Sequence, residues 1–383
     1  MDYTTKPRFF QIQKFFRYCQ LYGIQKTLVK VRGQYHMKKA FQTLPSISNP
    51  VRRGGSVALI GCGNFQYSHI AYYLHKYHRG CMRAAMDTNI NRAASIFKDY
   101  NLHYYTDSLD RIIEDDEVRL LYIASNHASH ADYAAKALDA GKDVHIEKPH
   151  CVTLEQLNRL VHSMSNSSGR VLSIGYNRPV GVIGEKILEA LRKENGAAMI
   201  NWFVAGHQIN PDHWYYHNEE GGRILGNMCH WIHFSMEMID EDHRFPITIT
   251  PTRTEKSDSD VVVTFTYGDN SIALISFSAQ GHTFEGVRER FSAQKENTLI
   301  KMDDFKEMRI DVVQNVRKIK LRKRDHGHMK SICGSYLSSL DKGKEGLSGE
   351  YVRNLGNLML GTKEALDNNR KVKIDNSGIF FLE

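Results

Sequence analysis

Residues 144–150 have the sequence Val144-His145-Ile146-Glu147-Lys148-Pro149-His150, and they separate two patterns of predicted secondary structure. Before them, short apolar segments alternate with helical patterns, and after them longer β segments dominate. Val144–Ile146 predicts a buried strand that ends just before Lys148, at the position where ligands bind in open α/β sheets. Pro149 fixes its own φ and restricts Lys148 to extended backbone. An isolated Lys-Pro pair is usually a surface turn, so the role of Lys148 depends on the rest of the chain.

The first strand of this pattern is Val57–Ile60, and Gly61-Cys62-Gly63-Asn64-Phe65 follows it directly. Two glycines at this spacing allow a tight turn and the close approach of a pyrophosphate to the N-terminus of the next helix. A third glycine is usual in such loops, but Gln66 occupies its position. This replacement weakens the motif for helix–strand packing and leaves the phosphate site in place.

Asp87 follows the second predicted strand, Met82–Met86. An acid at this position can accept hydrogen bonds from both ribose hydroxyls of a dinucleotide. Its charge would repel a 2′-phosphate and no arginine follows at once, so the sequence favours NAD over NADP. The alternative is that Asp87 only caps the next helix.

The alternation of strands and helices continues to the join. Val118–Ala124 predicts a buried strand that ends in Ser125, Asn126 and His127, where a cofactor would pass; capping of the next helix is an equal alternative for His127. Repeats of this kind predict an α/β domain with a doubly wound parallel sheet, the Rossmann arrangement. We place this domain at residues 54–150.

The chain after the join predicts a different domain, residues 151–383. Its segments are separated by Gly, Asn and Asp turns, which indicates an α+β domain with an open, mainly antiparallel sheet. Its strand Val171–Ile174 comes first, and six β segments follow at 198–205, 247–252, 260–267, 271–279, 286–294 and 298–302. Late helical patterns at 328–340 and 349–367 are expected to cover one face of that sheet. We expect this domain to bind substrate and to form a homo-oligomer.

The composition excludes several classes of protein. Of the 383 residues, 41% are hydrophobic and 25% charged, as in ordinary soluble proteins. No apolar run reaches the roughly 20 residues of a membrane span, and the six cysteines are scattered, which favours a reducing cytoplasm without a zinc ribbon. Residues 1–53 carry eleven Lys/Arg and one Asp, a net charge of +10, so the other residues sum to −2. A nucleic-acid-binding core is therefore not expected.

The basic N-terminal arm, residues 1–53, begins with an amphipathic helix pattern over residues 7–22 and ends in a Pro- and Gly-containing linker at 43–56. Three roles are open: packing on its own Rossmann domain, exchange with a partner subunit, or attachment to an anionic membrane surface on the cytoplasmic side. We favour the first two, because six aromatic residues on one short helix require a protein surface.

The densest polar segment runs from Asp212 to His233. The pairs His213/His217 and His230/His233 have spacings that could ligate a metal, but no complete ligand set accompanies them. We therefore expect acid–base and substrate-binding roles and no metal.

Three motifs of the chain resemble those of a known family. The Gly-x-Gly-Asn-Phe loop, Glu147-Lys148-Pro149, and Gly221-Gly222 followed by His230 are similar to the glucose–fructose oxidoreductase/inositol dehydrogenase (Gfo/Idh/MocA) family, over roughly residues 55–383. The resemblance implies an NAD(P)-dependent oxidoreductase that acts on a secondary alcohol or ketone of a sugar, with Lys148 and His230 as catalytic residues. Many members carry an Asp four residues before that histidine, where this chain has Gly226. We expect the cofactor to contact Gly61, Gly63, Asn64, Phe65, Asp87, Ser125, Asn126, His127, Glu147 and Lys148.

Three further motifs are Asp212-His213-Trp214, Gly222-Arg223-Ile224 and Asp303-Asp304-Phe305. They give a narrower resemblance, to the oxidoreductase half of two-part bacterial polysaccharide-biosynthesis enzymes, which implies a nucleotide-linked sugar substrate in surface-glycan biosynthesis. Arg178 and Arg223 suit phosphate recognition by their planar guanidinium groups. Asn177 and His213 are further expected substrate contacts, alongside His230. Each of the four residues Asn177, Arg178, His213 and Arg223 could equally be a residue at the rim of the site.

The sequence leaves open both the identity of the catalytic base and the class of reaction. His230 can take the proton at neutral pH while Lys148 stabilises the developing alkoxide; alternatively Lys148 is the base and His230 orients it. The other functions open to the sequence are a redox-assisted lyase, epimerase or glycosidase with tightly held NAD, and a non-catalytic sugar-binding scaffold.

Overall fold

The computed structural model describes residues 3–47, 54–255, 259–281, 284, 286–341, 343, 345–375 and 378–381. Part of the predicted linker, residues 48–53, lies outside these residues. The chain divides into two compact units. Unit 1 comprises the described residues of Met1–Phe15, Gly23–Gly175 and His328–Arg353, and unit 2 those of Phe16–Tyr22, Tyr176–Gly327 and Asn354–Glu383.

The sheet of unit 1 has six parallel strands among the described residues, in the order β3-β2-β1-β4-β5-β6. The strands are Val57–Ile60 (β1), Met82–Met86 (β2), Tyr104–Thr106 (β3), Leu120–Ile123 (β4), Asp143–Ile146 (β5) and Leu172–Ile174 (β6). Their side chains are buried on both faces almost throughout, which explains the unbroken apolar runs. The predicted Rossmann sheet is confirmed. The three-residue β3 was not predicted, and β6, which we had placed in the second domain, completes this sheet.

The helices, in chain order, are Arg8–Tyr22 (α1), Ile24–His36 (α2), Tyr72–Tyr77 (α3), Ile90–Tyr100 (α4), Leu109–Ile113 (α5), His130–Asp139 (α6), Leu154–Asn166 (α7), Val182–Leu191 (α8), Cys229–Glu237 (α9), His328–Leu340 (α10) and Gly349–Asn368 (α11). A π-helical turn at Gln66–Ala71 leads into α3, and another at Ile224–Met228 leads into α9. None of the described helices is both long and apolar enough to cross a membrane.

Helix α10 corrects one expectation. The pattern at 328–340 predicted a cover for the second sheet, but α10 belongs to unit 1. Its Ile332 is 1% exposed in the core of unit 1, and the hydroxyl of Tyr122 on β4 donates to the Ile332 carbonyl at 2.6 Å. An amphipathic pattern shows that a helix has an apolar face and does not show which core receives it.

The sheet of unit 2 has ten strands among the described residues, in the order β14-β13-β12-β11-β7-β10-β9-β8-β15-β16. The strands are Ala198–His207 (β7), Ile247–Arg253 (β8), Val261–Thr266 (β9), Ile272–Gly281 (β10), Arg288–Lys295 (β11), Thr298–Asp303 (β12), Glu307–Val312 (β13), Asn315–Lys320 (β14), Val372–Asp375 (β15) and Gly378–Phe381 (β16). Of the pairings described, β7–β10 is parallel and the others are antiparallel, so the mainly antiparallel sheet is confirmed. Burial alternates along β7, which gives the sheet a packed face and an exposed face.

Candidate functional site

The turn after β1 has the geometry of a phosphate-binding loop. Gly61 has φ +79°, and a Cβ on it would lie 2.4 Å from the Cα of Ser125, so the loops after β1 and β4 approach too closely for a side chain there. These two strands lie where the strand order reverses, which is the ligand position in such sheets. Nothing lies within 4 Å of a Cβ on Gly63, so this glycine faces open space. The loop therefore fits a dinucleotide whose phosphates approach the backbone.

Asp87 ties this turn to β2. Its Oδ2 accepts the Cys62 N–H at 2.7 Å and its Oδ1 accepts the Asn89 N–H at 2.7 Å. A carboxylate offers about four acceptor positions, so both oxygens keep capacity for a ribose hydroxyl. The alternative that Asp87 caps α4 is wrong, because Asn89 is the N-cap and its side chain accepts from the Asn91 N–H.

The start of the next helix is well packed. Gln66, at the third-glycine position, is fully buried, and its Nε2 donates to the Tyr122 carbonyl on β4 at 3.5 Å. Asn64 accepts a hydrogen bond from the Ser68 hydroxyl at 3.1 Å, and the ring of Phe65 stacks on His69 with centroids 4.6 Å apart. Helix–strand packing thus tolerates glutamine in place of glycine.

The loop after β4 forms a short 3₁₀ turn, His127–Ser129. The side chains of Ser125 and Asn126 both bond to the Ser129 hydroxyl, at 2.7 Å each. His127 is 3% exposed inside the turn. It does not cap α6, because Ser129 occupies the N-cap position, so that alternative is wrong and a cofactor contact stays a prediction.

His130, which the sequence did not single out, lies between the loops after β4 and β5. Its Nδ1 is 2.8 Å from the Pro149 carbonyl oxygen, and its Nε2 is 3.2 Å from that of Ser125. Burial lowers its pKa, and a neutral ring can donate to only one of these two carbonyl oxygens. A histidine at the first turn of a helix carries no sequence signal of this role, since both partners are backbone groups.

At the join, the two residues after β5 differ in environment. Glu147 is buried; a Cβ on Gly175 would lie 2.6 Å from its carboxyl group, and His145 Nε2 is 3.5 Å from its Oε1. The glycine after β6 is therefore required by this carboxylate. Lys148 is half-buried and its peptide bond to Pro149 is cis. Contacts of Glu147 and Lys148 with a cofactor stay predictions.

In unit 2, His230 lies in the first turn of α9. The ring of Tyr176 meets it edge-on at 6.2 Å and stacks on His233 at 4.2 Å with an angle of 9° between the planes. Burial, reinforced by the charge of Arg244, lowers the pKa of His233 to about 3. His233 is thus neutral near pH 7, while the half-buried His230 keeps access to solvent. Among the described residues, no three His, Cys, Asp or Glu side chains are grouped so that they could hold a metal ion.

Arg178 belongs to a buried network around Glu289. Its guanidinium forms two hydrogen bonds with the carboxylate of Glu289, at 2.9 and 2.6 Å, and Trp231 Nε1 donates to the same carboxylate at 3.0 Å. Glu289 is fully buried and Arg178 is 7% exposed. Asn177 is also buried, and its side chain donates to the His326 carbonyl at 2.6 Å. These bonds provide partners for the buried polar side chains within unit 2.

Arg223 and His213 are similarly engaged. Arg223 is 2% exposed, donates to the His207 carbonyl at 2.9 Å, and lies 5.1 Å from the centre of the Phe277 ring. His213 accepts the Tyr215 N–H at 3.3 Å and caps a 3₁₀ turn, Trp214–Tyr216; burial lowers its pKa. The expected phosphate contacts of the two arginines therefore lose their main support, since both guanidinium groups are buried against protein.

An α/β sheet with this glycine turn and this acid is typical of dinucleotide-binding folds. Residues 56–176 match the model of the oxidoreductase family with an NAD-binding Rossmann fold. Over these residues the chain is similar to the Gfo/Idh/MocA family.

Other known proteins are similar to this chain in sequence or in fold. Inositol 2-dehydrogenase of Pseudomonas syringae is 33% identical over 98 residues, which are 25% of this chain and 29% of that protein. Two solved structures share the fold: a levoglucosan dehydrogenase in complex with NADH and levoglucosan (TM-score 0.71, 14% identity, 84% of this chain and all of that one) and GenD2 from gentamicin A biosynthesis in complex with NAD (TM-score 0.69, 19% identity, 87% and 99%). The chain spans about half the length, or less, of the curated relatives it matches.

Proposed function

We propose that this protein is an NAD-dependent oxidoreductase that transfers a hydride between nicotinamide and a secondary alcohol or ketone of a sugar. The observation that carries the proposal is the turn after β1, where Gly63 faces open space and Asp87 holds the loop through the Cys62 amide. The printed names of its relatives, an inositol 2-dehydrogenase and a levoglucosan dehydrogenase with NADH, support a sugar-like substrate.

Two residues carry the proton chemistry in this proposal. A bound nicotinamide supplies the hydride acceptor or donor. Lys148 stabilises the negative charge that develops on the reacting oxygen, and His230 takes or returns the proton. The reverse assignment, with Lys148 as the base, stays open, and the third catalytic group is unassigned because Gly226 has no side chain to contribute.

The decisive experiment replaces Lys148 by Met. Because Lys148 acts on the reacting oxygen in this proposal, hydride transfer should fall to background while NADH binding, measured by calorimetry, changes little. Lys136→Met is a matched control, since Lys136 is an exposed lysine of the same unit whose side-chain exposure is 53%. Normal turnover in a folded Lys148→Met protein would end this assignment.

The finer proposal is a nucleotide-linked sugar in surface-glycan biosynthesis. It is supported by the narrower family resemblance and no longer by Arg178 and Arg223, which are buried. NADH absorbance with a panel of free, phosphorylated and nucleotide-linked sugars tests it. Turnover of simple inositols or hexoses with none of nucleotide-linked sugars would contradict it.

Self-association is part of the proposal. The exposed face of the unit 2 sheet carries Met199, Phe203 and Leu299, with exposed fractions of 48%, 51% and 36%. An apolar patch of this kind suits a contact with a second copy. Light scattering of the full chain at several concentrations tests this contact.

Membrane attachment through α1 is a minority proposal. Helix α1 exposes Phe9, Ile12 and Phe16, and liposome sedimentation tests whether it binds a membrane surface.

A further inference from the structure

We propose that α2, from the basic arm, is a positioning element that holds the dinucleotide-binding turn in shape and so sets the affinity for NADH. This inference rests on the proposed function. Helix α2 precedes residues 56–176, the part of the chain that the family model covers. It packs on the helix that follows the glycine turn, within unit 1.

The central contact is made by His36. Its Nε2 lies 2.8 Å from the Cys62 carbonyl oxygen, and its ring stacks on Tyr67 with centroids 4.5 Å apart. His36 is 2% exposed, and burial lowers its pKa. The ring is therefore neutral, and the proton is on Nε2, because a carbonyl oxygen can only accept.

Cys62 is the middle residue of the Gly61-Cys62-Gly63 turn, so both of its backbone groups are held. His36 donates to its carbonyl, and its N–H donates to Asp87 at 2.7 Å. Glycines on either side leave the peptide planes free to rotate in the unbound chain. His36 and Asp87 together select one orientation of the turn, and the arm supplies one of these two restraints.

Two further contacts fix α2 along the helix after the turn. Lys26 donates to the Ser68 carbonyl at 2.5 Å and lies 4.8 and 4.3 Å from the ring centres of Tyr72 and Tyr73. Gly33 permits the approach at the middle, since a Cβ there would lie 2.9 Å from the Asn64 amide oxygen. Three residues of α2, spaced seven and three apart, thus contact the segment from Cys62 to Tyr73.

These contacts leave the binding position open. The carbonyl of Cys62 is taken by His36, but nothing lies within 4 Å of a Cβ on Gly63. Helix α2 therefore supports the turn without filling the space that phosphates would use. Loss of the support leaves the ligand contacts intact and makes the turn adopt more conformations before binding, which lowers affinity.

The test compares full-length His36→Ala, His36→Gln and Tyr35→Ala. Glutamine can donate its side-chain N–H to the Cys62 carbonyl, and Tyr35 is a matched control on α2 because its side chain is 60% exposed. We expect His36→Ala to raise the Kd for NADH about tenfold, the order of one buried hydrogen bond. His36→Gln should restore most of the affinity, and Tyr35→Ala should match the wild type. Hydrogen exchange without cofactor should be faster at the amides of residues 61–64 in His36→Ala.

An unchanged Kd and unchanged exchange in His36→Ala, or an equal loss in Tyr35→Ala, would overturn the role of α2. If His36→Ala does not fold, Gly33→Ala decides, because its methyl group must displace Asn64 and should raise the Kd a few-fold; unchanged binding there overturns the proposal. A wild-type protein that binds neither NADH nor NADPH would instead overturn the proposed function, whereas normal wild-type binding with an unaffected His36→Ala would overturn this inference alone.

Discussion

The turn after β1 and the network around Glu289 are built from residue types that a sequence marks as functional, yet they differ in what those residues contact. At the turn, Asp87 and His36 bond to the backbone of Cys62, and Gly63 still faces open space. Around Glu289, Arg178 and Trp231 bond to the same buried carboxylate. The first arrangement shapes a surface for a ligand, and the second neutralises charge inside unit 2. The partner of a polar side chain, more than its type, decides its role.

After Lys148→Met, the largest effect is expected at His230, the half-exposed one of the two histidines whose rings contact Tyr176. His230→Gln removes the proposed proton-transfer group and should lower turnover about 10²–10⁴-fold, the usual contribution of one positioned acid or base. Steady-state kinetics measure this, with the exposed His243→Gln as control. Turnover within a few-fold of wild type would remove His230 from the catalytic machinery.

Arg178→Met should lower the free energy of unfolding and not the turnover. It leaves the carboxylate of Glu289 buried without its bidentate partner, and removal of one partner from a buried ion pair costs about 3–5 kcal/mol. Chemical denaturation should show this loss, and NADH affinity should stay unchanged. Lys193→Met, at an exposed ion pair with Glu189 in the same unit, should leave the melting temperature nearly unchanged. A stable Arg178→Met protein with a higher KM for sugar would return Arg178 to the substrate site.

The pH dependence of stability tests whether His233 is, like Arg178, a buried group that affects folding. Its folded pKa of about 3 lies below the usual 6.5, so the unfolded chain binds the proton more tightly. Its stabilising contribution is complete above pH 6.5 and is lost as pH falls from 6.5 toward 3. His233→Phe keeps the stacking on Tyr176 without a titrating group, so between pH 7 and pH 4 the wild type should lose about 3 kcal/mol more unfolding free energy than the variant. Urea denaturation measures both losses. If the wild type and the variant lost the same unfolding free energy between pH 7 and pH 4, His233 would bind a proton as readily in the folded as in the unfolded chain.

The smallest effect concerns cofactor choice. The wild type should bind NADH more tightly than NADPH, because the charge of Asp87 repels a 2′-phosphate. Asp87→Ser should narrow the ratio of the two Kd values roughly tenfold, the order of a single charge–charge interaction near a surface. The ratio is the proper readout, since loss of the Cys62 contact affects both cofactors. Tighter NADPH binding by the wild type would mean that Asp87 does not read the ribose.

Several elements were predictable because local rules determine them. Strands β1 and β2 match the predicted Val57–Ile60 and Met82–Met86, and β5 begins one residue before the predicted Val144–Ile146, since an apolar run between turn residues marks a buried strand. The positive φ of Gly61 also follows from its type and position. Strand β3 was not predicted because its residues, Tyr104-Tyr105-Thr106, do not form such an aliphatic run.

Some contacts could be known only from the tertiary structure, because their two partners are far apart in the chain. Arg178 meets Glu289 across 111 positions and His145 meets Ser335 across 190, and no local pattern encodes either pair. The same reason explains why α10 joins the core of unit 1 and why His36 bonds to Cys62. The sequence by itself determined the class of fold and the dinucleotide turn, because these follow from periodicity and backbone freedom. It did not determine which charged residues remain available to a ligand, because that depends on which other groups the folded chain places beside them.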